Sequence, residues 1–168
     1  MDKIREQFSL IYDQYIEKIY RFVLIKVSSD QIAEDITSKV FMKGWESYQK
    51  NQNINNIGAF LYQIARNNVI DHYRSKGRIK MVSSDAILEA IDPSLGVYEK
   101  AVLSADIEAV KTAISGLKKE YQDVLIFHYL EDMPAEEIAD IMGKPTGTVR
   151  VMIHRGLKAL KEQLIQES

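Results

Sequence analysis

The chain has 168 residues, of which 46% are apolar and 27% charged, and its formal net charge is −2. With eight glycines and three prolines, this composition is typical of one ordinary folded domain or two small ones, and it excludes a disordered or collagen-like chain. There is no cysteine, which excludes a disulfide framework, thiolate-bound zinc and thiol catalysis.

The sequence predicts no membrane-spanning or export segment. Its longest stretch without a charged residue, 51–65, is rich in Asn and Gln and too short to cross a bilayer. The opening, MDKIREQF, mixes charges of both signs and lacks the apolar core of a secretory signal. We therefore expect a cytoplasmic protein without direct membrane insertion.

The first two predicted elements are helices. Apolar residues recur every three or four positions over 4–22, which predicts an amphipathic helix of about six turns. Residues 28–30 interrupt this pattern and offer helix caps, with Gln31 three positions after Ser28 as in a capping box. A second helix is predicted to run through Trp45.

An asparagine-rich loop is predicted at residues 48–57, because no periodic apolar pattern runs through them. Asn55 or Asn56 can cap a third helix. Helical spacing in that helix continues through four positions: Phe60, Ile64, Asn67 and Asp71. The three helices together form a predicted first domain.

A linker is predicted at residues 78–100, where the periodicity is lost and where Pro93 and Gly96 oppose a continuous helix. Helical spacing resumes after it, and no strand pattern appears. The predicted fold class is therefore all-α, with two small helical domains, residues 1–77 and 101–168, joined by a flexible linker.

Residues 134–165 carry the strongest functional signal, a helix-turn-helix. Gly143 is a natural helix stop, and Thr146 can cap the helix that follows. Ala139, Gly143 and Val149 stand at the offsets that this motif needs for a small crossing residue, a turn residue and an apolar anchor. The spacing favours a DNA-binding motif.

Charge supports this interpretation. Glu120–Asp140 holds seven acidic residues and no Lys or Arg, whereas Lys144–Lys161 holds five basic residues and no acidic one. Arg is suited to bidentate recognition of guanine in the major groove. A basic face alone is also typical of an ordinary solvated helix, so the spacing of the motif decides for DNA binding. The predicted outward residues of the second helix are Arg150, His154, Arg155 and Lys158.

The C-terminal part of the third helix, ARNNVIDHYRSKGR, mixes bases with Asn, Tyr and His. Such a mix can bind unpaired nucleotides, or it can form a polar helix end with snorkelling Arg stems, and the residues leave both interpretations open. The three His form no ligand pair, and His128 is expected in the core. No catalytic grouping or phosphate-binding loop appears, so no enzyme, metal site or cofactor is predicted.

Two long segments resemble one known family. AEDITSKVFMKGW followed by FLYQIARNNVIDHYRSKGR resembles region 2 of an extracytoplasmic-function (ECF) sigma factor of bacterial RNA polymerase. ISGLKKEYQDVLIFHYLEDMPAEEIADIMGKPTGTVRVMIHRGLKALKEQL resembles region 4 of the same family. The resemblance covers nearly the whole chain, and it implies a sigma factor that directs core polymerase to specific promoters and helps to melt the −10 element.

The resemblance also implies which residues bind each partner. The β′ clamp helices of core polymerase would be met by Asp35, Ile36, Ser38 and Lys39, with Phe41 and Trp45 mainly buried. The −10 element would be bound by Asn55, Asn56, Gln63, Asn67, Asp71 and Arg74. The −35 element would be bound by Thr148, Arg150, Val151, His154, Arg155 and Lys158, in a domain that also meets the β flap.

Further implications concern the linker and a regulator. The acidic linker, with Asp85, Glu89 and Asp92, would thread towards the active centre of the polymerase. Members of the family are commonly held inactive by an anti-sigma factor, which makes such a protein an expected partner.

The chain departs from the family pattern at two places. Ser38-Lys39 replaces a frequent Gln-Glu and reverses a charge on the expected polymerase-facing surface. Arg150-Val151-Met152 replaces a frequent Lys-Ser-Arg, so the specificity of relatives for the −35 element does not transfer.

Two other classes of protein compete with the sigma factor. One is a stand-alone helix-turn-helix regulator whose N-terminal domain dimerises or senses a signal, and the other is a helical adaptor without DNA contact. The basic, Asn-rich helix end suits unpaired DNA better than a dimer interface, and an adaptor leaves the segregation of charge unexplained.

Overall fold

The computed structural model describes residues 2–76, 96 and 108–167, and every regular element among them is a helix. The all-α fold class predicted from the sequence is therefore confirmed. The chain divides into two compact units, Met1–Ile79 and Lys80–Ser168. Among the described helices, none combines the length and the apolar character that crossing a membrane requires.

The predicted linker, residues 78–100, lies outside the described residues apart from Gly96, which is exposed. The first part of the predicted second domain, 101–107, lies outside them as well. The limits of the two domains and the path of the acidic linker residues therefore stay predictions.

Three long helices form the first unit: α1 (Asp2–Val27), α2 (Asp30–Lys50) and α3 (Ile57–Lys76). Each helix packs against the other two. The three-and-four spacing puts the apolar residues of each helix on one side, and burying that side holds the helices together. The fully buried members of this core include Ile19, Phe22, Ile25, Leu61 and Ala65.

The turn between α1 and α2 corrects the predicted cap. Ser28 adopts a left-handed φ of 57°, and Ser29 caps α2 instead, since its Oγ accepts a hydrogen bond from the N–H of Ile32 at 3.3 Å. With Ser29 as the cap, the third helical position is Ile32. The predicted capping box with Gln31 is therefore wrong.

The loop between α2 and α3 is shorter than predicted. Helix α2 continues past Trp45, and the loop is confined to residues 51–56. Tyr48 is buried, and its ring centroid lies 5.6 Å from that of Phe8. This contact with α1 stabilises the extra turn of α2, which the polar sequence around Tyr48 did not indicate.

The described helices of the second unit are α4 (described over residues 108–115), the short helices α5 (Lys119–Leu125) and α6 (Ala135–Met142), and the long helix α7 (Thr146–Glu167). Helix α7 packs against α5 and α6. The most deeply buried side chains of this unit include Val124, Phe127, Ile138 and Val149.

Helix α5 continues into a turn of π-helix, Ile126–Leu130, which the sequence analysis did not predict. Phe127 on this turn is fully buried, whereas His128 is half-buried and places its Nδ1 3.0 Å from the carbonyl oxygen of Met133. His128 therefore stands at the edge of the core, where it hydrogen-bonds to the backbone, and not inside the core as expected.

Candidate nucleic-acid and polymerase interfaces

Helices α6 and α7 form the predicted helix-turn-helix. Gly143 ends α6 with a left-handed φ of 66°, and the N–H groups of Gly143 and Lys144 both donate to the carbonyl of Ala139. The side chains of Ala139 and Val149 are buried. All three positions of the motif therefore have the predicted environment.

The start of α7 differs by one residue from the prediction. The carbonyl of Pro145 accepts a hydrogen bond from the N–H of Val149 at 3.1 Å, which makes Pro145 the capping position. Thr146 is the first residue inside the helix and is not its cap.

One side of α7 carries every residue that was predicted for the −35 element. The opposite side is buried through Val149, Met152 and Ile153, which anchor the helix in the unit. The exposed side therefore carries cationic groups, a hydroxyl, an imidazole and one apolar side chain. Its exposed members are Thr148, Arg150, Val151, His154, Arg155 and Lys158.

One of these residues has a partner on the preceding helix. Nη2 of Arg150 donates to Oε1 of Glu136 at 2.7 Å, so a charge-assisted hydrogen bond links α7 to the first turn of α6. This pair could not be predicted from the two charge clusters, because it depends on how α6 and α7 pack against each other.

The residues predicted for the −10 element fall on α3 and on the loop before it. Gln63, Asn67, Asp71 and Arg74 are spaced by three or four along α3, which places them on one side of the helix. Gln63 is half-buried, and the other three are exposed. This side of α3 is polar over about three turns.

The asparagine-rich loop is ordered by its own side chains. Asn51 accepts a hydrogen bond from the N–H of Asn53 at 2.9 Å, and Gln52 donates to the carbonyl of Tyr48 at 2.7 Å. Asn56 caps α3 by accepting from the N–H of Ala59 at 3.1 Å. Of the two candidate caps, Asn56 thus has a structural role, and Asn55 is exposed beside it.

A polar groove of about 480 Å³ between α2 and α3 brings together residues predicted for different partners. Asp35 and Lys39 from α2 line it together with Asp71 from α3. Ile36 is only 5% exposed and lines the floor of the same groove. Ser38 is exposed on α2.

An apolar groove of about 640 Å³ between α1 and α2 was missed by the sequence analysis. Phe41 is buried as expected and meets the ring of Tyr12 edge-on, with centroids 4.9 Å apart. Trp45 is partly buried and lines the groove, and Met42 is 64% exposed. The sequence places Tyr12 on one predicted helix and Phe41 and Trp45 on another, but whether these rings meet depends on how the two helices pack.

Acidic groups lie at one edge of this apolar groove. Tyr20 donates a hydrogen bond to Oδ1 of Asp30 at 3.2 Å. The pKa of the Tyr20 hydroxyl is raised by burial first, and then by the hydrogen bond to Asp30 and the charges of Asp30 and Glu34. Glu17 and Glu34 both line the groove, so its rim is negative. Within residues 2–76, 96 and 108–167, no group of three or more potential metal ligands comes together.

Two parts of the sequence match families of known proteins. Residues 11–79 match the family described as Sigma-70 region 2, and residues 107–160 match the family described as Sigma-70, region 4. The first match includes α2, α3 and most of α1, and the second includes the helix-turn-helix.

Curated relatives that align with most of this chain are named ECF RNA polymerase sigma factors. The chain is 28% identical over 164 residues to the ECF RNA polymerase sigma factor BldN of Streptomyces coelicolor, covering 95% of this chain and 61% of that protein. It is 28% identical over 171 residues to the ECF RNA polymerase sigma factor SigW of Bacillus subtilis, covering 95% of this chain and 90% of that protein.

The fold is similar to that of solved sigma factors. The structure of RpoE in complex with the anti-sigma factor NepR from Bartonella quintana matches with a TM-score of 0.67 at 22% identity, covering 95% of this chain and 97% of that one. CnrH, solved in complex with the cytosolic domain of CnrY, matches with a TM-score of 0.62 at 16% identity, covering 97% and 88%. With region 2 followed by region 4 over most of its length, the chain belongs to the sigma-70 family and is an ECF-type RNA polymerase sigma factor.

Proposed function

We propose that this chain directs core RNA polymerase to specific promoters and helps to melt the −10 element. In this proposal residues 1–77 bind core polymerase and the −10 element, and residues 101–168 bind the −35 element and meet the β flap. One observation carries the proposal: the six residues predicted for the −35 element are all exposed on one helix of a helix-turn-helix whose apolar anchor, Val149, is fully buried.

The exposed side of α7 suits the major groove. Helix-turn-helix proteins place the N-terminal part of their second helix there, and that part of α7 holds Arg150 and Val151. The guanidinium groups of Arg150 and Arg155 fit the acceptor atoms of guanine, and the side chain of Val151 fits the methyl group of thymine. We infer that these three residues distinguish bases in the −35 element.

Acidic residues on α6 limit the attraction of this unit to DNA. Glu136, Glu137 and Asp140 are exposed on α6, which packs against α7, so their negative charges lie near its basic side. We therefore expect the free protein to bind duplex DNA weakly. Core polymerase would supply the missing affinity by holding both domains at the separation of the two promoter elements.

The polar side of α3 suits unpaired DNA. Extruding a base from the stack costs a few kcal/mol, so its capture needs polar groups held in place beforehand. The hydrogen-bonded loop at 51–56 presents Asn55, and α3 presents Asn67 and Arg74. We assign the −10 element to this surface, where amide groups can bind base edges and the arginine can bind phosphate.

Core polymerase is assigned to the exposed side of α2. Asp35, Ser38 and Lys39 supply polar contacts there, and the apolar groove with Met42 and Trp45 lies along the same helix. A contiguous exposed apolar surface is typical of a protein interface. Ile36 is kept in this proposed surface, because it lines the groove beside Asp35 and Lys39 although only 5% of it is exposed.

The proposed role in transcription initiation also implies where in the cell the chain acts and which kind of protein regulates it. Core polymerase carries out the chemistry of transcription in the cytoplasm, so the chain acts there by binding and needs no reaction or cofactor of its own. RpoE of Bartonella quintana was solved in complex with an anti-sigma factor. We propose that this chain has an anti-sigma partner of its own.

Reconstitution with core RNA polymerase tests the proposal. The wild-type chain should bind the core enzyme and start transcription at defined positions on a promoter library. Arg155→Ala should weaken promoter-specific initiation by about 1–3 kcal/mol if its side chain contacts a base, with core affinity unchanged. Asp35→Ala should weaken core binding while the melting temperature stays near that of the wild type, because an exposed charge contributes little to folding.

The two variants serve as controls for each other, since each lies in a different unit and is expected to change a different measurement. A chain that fails to bind core polymerase contradicts the proposal. Tight, sequence-specific binding of duplex DNA by the chain alone, without core enzyme, would instead favour the stand-alone regulator.

A further inference from the structure

An acidic side chain on α6 contacts an arginine of the proposed DNA-binding side of α7. Oε1 of Glu136 accepts a hydrogen bond from Nη2 of Arg150 at 2.7 Å. The two side chains are 62% and 63% exposed. The pair therefore joins the two helices of the motif at its solvent-facing surface, where DNA would approach.

This ion pair contributes little to folding. Exposed pairs add little stability, because water screens the charges and because two long side chains lose freedom in forming them. The two helices are already held together by buried apolar residues, among them Ile138 and Val149. The main effect of the pair is therefore on the side-chain conformation of Arg150 and on the charge beside it.

The contact orders Arg150 and leaves most of its donors available. A guanidinium has five N–H donors in a planar fork, and bidentate recognition of guanine uses two of them. Glu136 engages only Nη2. Because the hydrogen bond already restricts the arginine side chain, less conformational entropy is lost when Arg150 binds a base.

The carboxylate of Glu136 also opposes unspecific binding. Attraction between basic side chains and phosphates supplies nearly all of the affinity for unspecific duplex DNA. An exposed negative charge beside Arg150 weakens that attraction on every sequence. Only a sequence that offers the correct base to the ordered arginine gains a compensating contact.

We propose that Glu136 is a positioning residue for promoter specificity: it orients Arg150 towards a base of the −35 element and weakens binding to other duplex DNA. The proposal rests on the proposed function of the chain. It extends the specificity machinery to α6, outside the six residues of α7.

The experiment uses the full chain bound to core polymerase and a duplex library with a randomised −35 block. The measured quantity is the ratio of affinities for the sequence that the wild type enriches and for its scrambled version. Glu136→Ala should lower this ratio about two- to tenfold, which is the range expected from ordering one long side chain, and should raise the affinity for the scrambled duplex.

Glu137→Ala is the matched control. Glu137 carries the same charge in the same turn of α6 and is exposed, but it is not the partner of Arg150 among the described residues. Its loss should raise the affinity for both duplexes and leave their ratio unchanged. An equal fall in the ratio for both variants would mean that net charge, and not positioning, sets specificity, and would overturn the proposal.

A background that lacks the arginine separates positioning from other effects. In Arg150→Ala, adding Glu136→Ala should not lower the ratio further, since there is no guanidinium left to orient. A further fall, or an unchanged ratio in Glu136→Ala alone, overturns the positioning role while the proposed function stands. A wild-type holoenzyme that enriches no sequence overturns the proposed function itself, and this inference with it.

Discussion

The first unit packs three helices of 20 to 26 residues against each other, whereas the motif of the second unit needs only the eight residues of α6, a turn and the start of α7. Glycines show the difference. A Cβ at Gly44 would lie 2.7 Å from Cδ2 of Leu61, and one at Gly58 would meet the ring of Tyr15. Gly143 has open space around it and is needed instead for its left-handed φ. Remote packing shapes the first unit, and a local turn shapes the motif of the second.

The candidate sites differ in the same way. The proposed −35 residues all lie within one stretch, 148–158, of one helix. The grooves of the first unit are lined from two helices, as with Asp35 and Asp71 in one groove and Tyr12 and Phe41 in the other. A site on a single helix follows from periodicity, whereas a groove depends on how two helices meet.

The largest expected effect tests whether remote packing holds the first unit. Phe22 is fully buried on α1 and lies edge-on to Tyr62 of α3, with ring centroids 5.9 Å apart. Phe22→Ala should lower the free energy of unfolding of this unit by about 3–5 kcal/mol, because it removes a large buried ring and leaves a cavity. Urea unfolding followed by the fluorescence of Trp45, the single tryptophan, measures this unit alone.

Leu10→Ala on the same helix is the matched control. Leu10 is exposed, so its loss should change the unfolding free energy by no more than about 0.5 kcal/mol. Equal effects for the two variants would contradict the assignment of the first unit's stability to its interhelical core.

Much of the fold could be predicted from the sequence, because long apolar stripes specify helices without reference to the rest of the chain. The helix ends were less predictable. Ser28 and Ser29 have the same capping chemistry, and only the left-handed φ at Ser28 decides between them. The last turn of α2 depends on Tyr48 reaching Phe8 on another helix. The information for these ends lies outside the local sequence.

Structural features that depend on one local segment could be predicted, whereas those that depend on two helices could not. The motif around Gly143 was found because a turn residue and its neighbours act locally. The pair of Glu136 with Arg150 and the apolar groove beside Met42 were missed, because each depends on the orientation of one helix against another. The burial of Ile36, which leaves 5% of it exposed, follows from packing as well.

An intermediate effect tests the local turn of the second unit. Gly143→Ala should lower the stability of that unit by about 1–2 kcal/mol, since its φ of 66° is costly for a residue with a Cβ although no atom stands in the way. Gly147→Ala, in the first turn of α7 and likewise in open space, should raise stability by up to about 1 kcal/mol. Circular dichroism at helical wavelengths measures the stability of both variants. A loss of stability in Gly147→Ala as well would contradict the open space around Gly147.

The smallest effect concerns a single buried hydroxyl in the first unit. Thr37 on α2 lines the apolar groove, and its Oγ1 is buried without a hydrogen-bond partner. A buried polar group without a partner opposes folding, so Thr37→Val, which keeps the shape and the branching at Cβ, should leave stability unchanged or raise it by up to about 1 kcal/mol. Ser29→Ala, at the N-cap of the same helix, should act in the opposite direction and lower the free energy of unfolding by about 1 kcal/mol. The substitution removes the hydroxyl that accepts a hydrogen bond from the N–H of Ile32. Unfolding followed by Trp45 fluorescence measures both. If Thr37→Val lowers the free energy of unfolding as much as Ser29→Ala does, the Thr37 hydroxyl is hydrogen-bonded in solution. The groove between α1 and α2 would then hold a satisfied polar group among its apolar side chains.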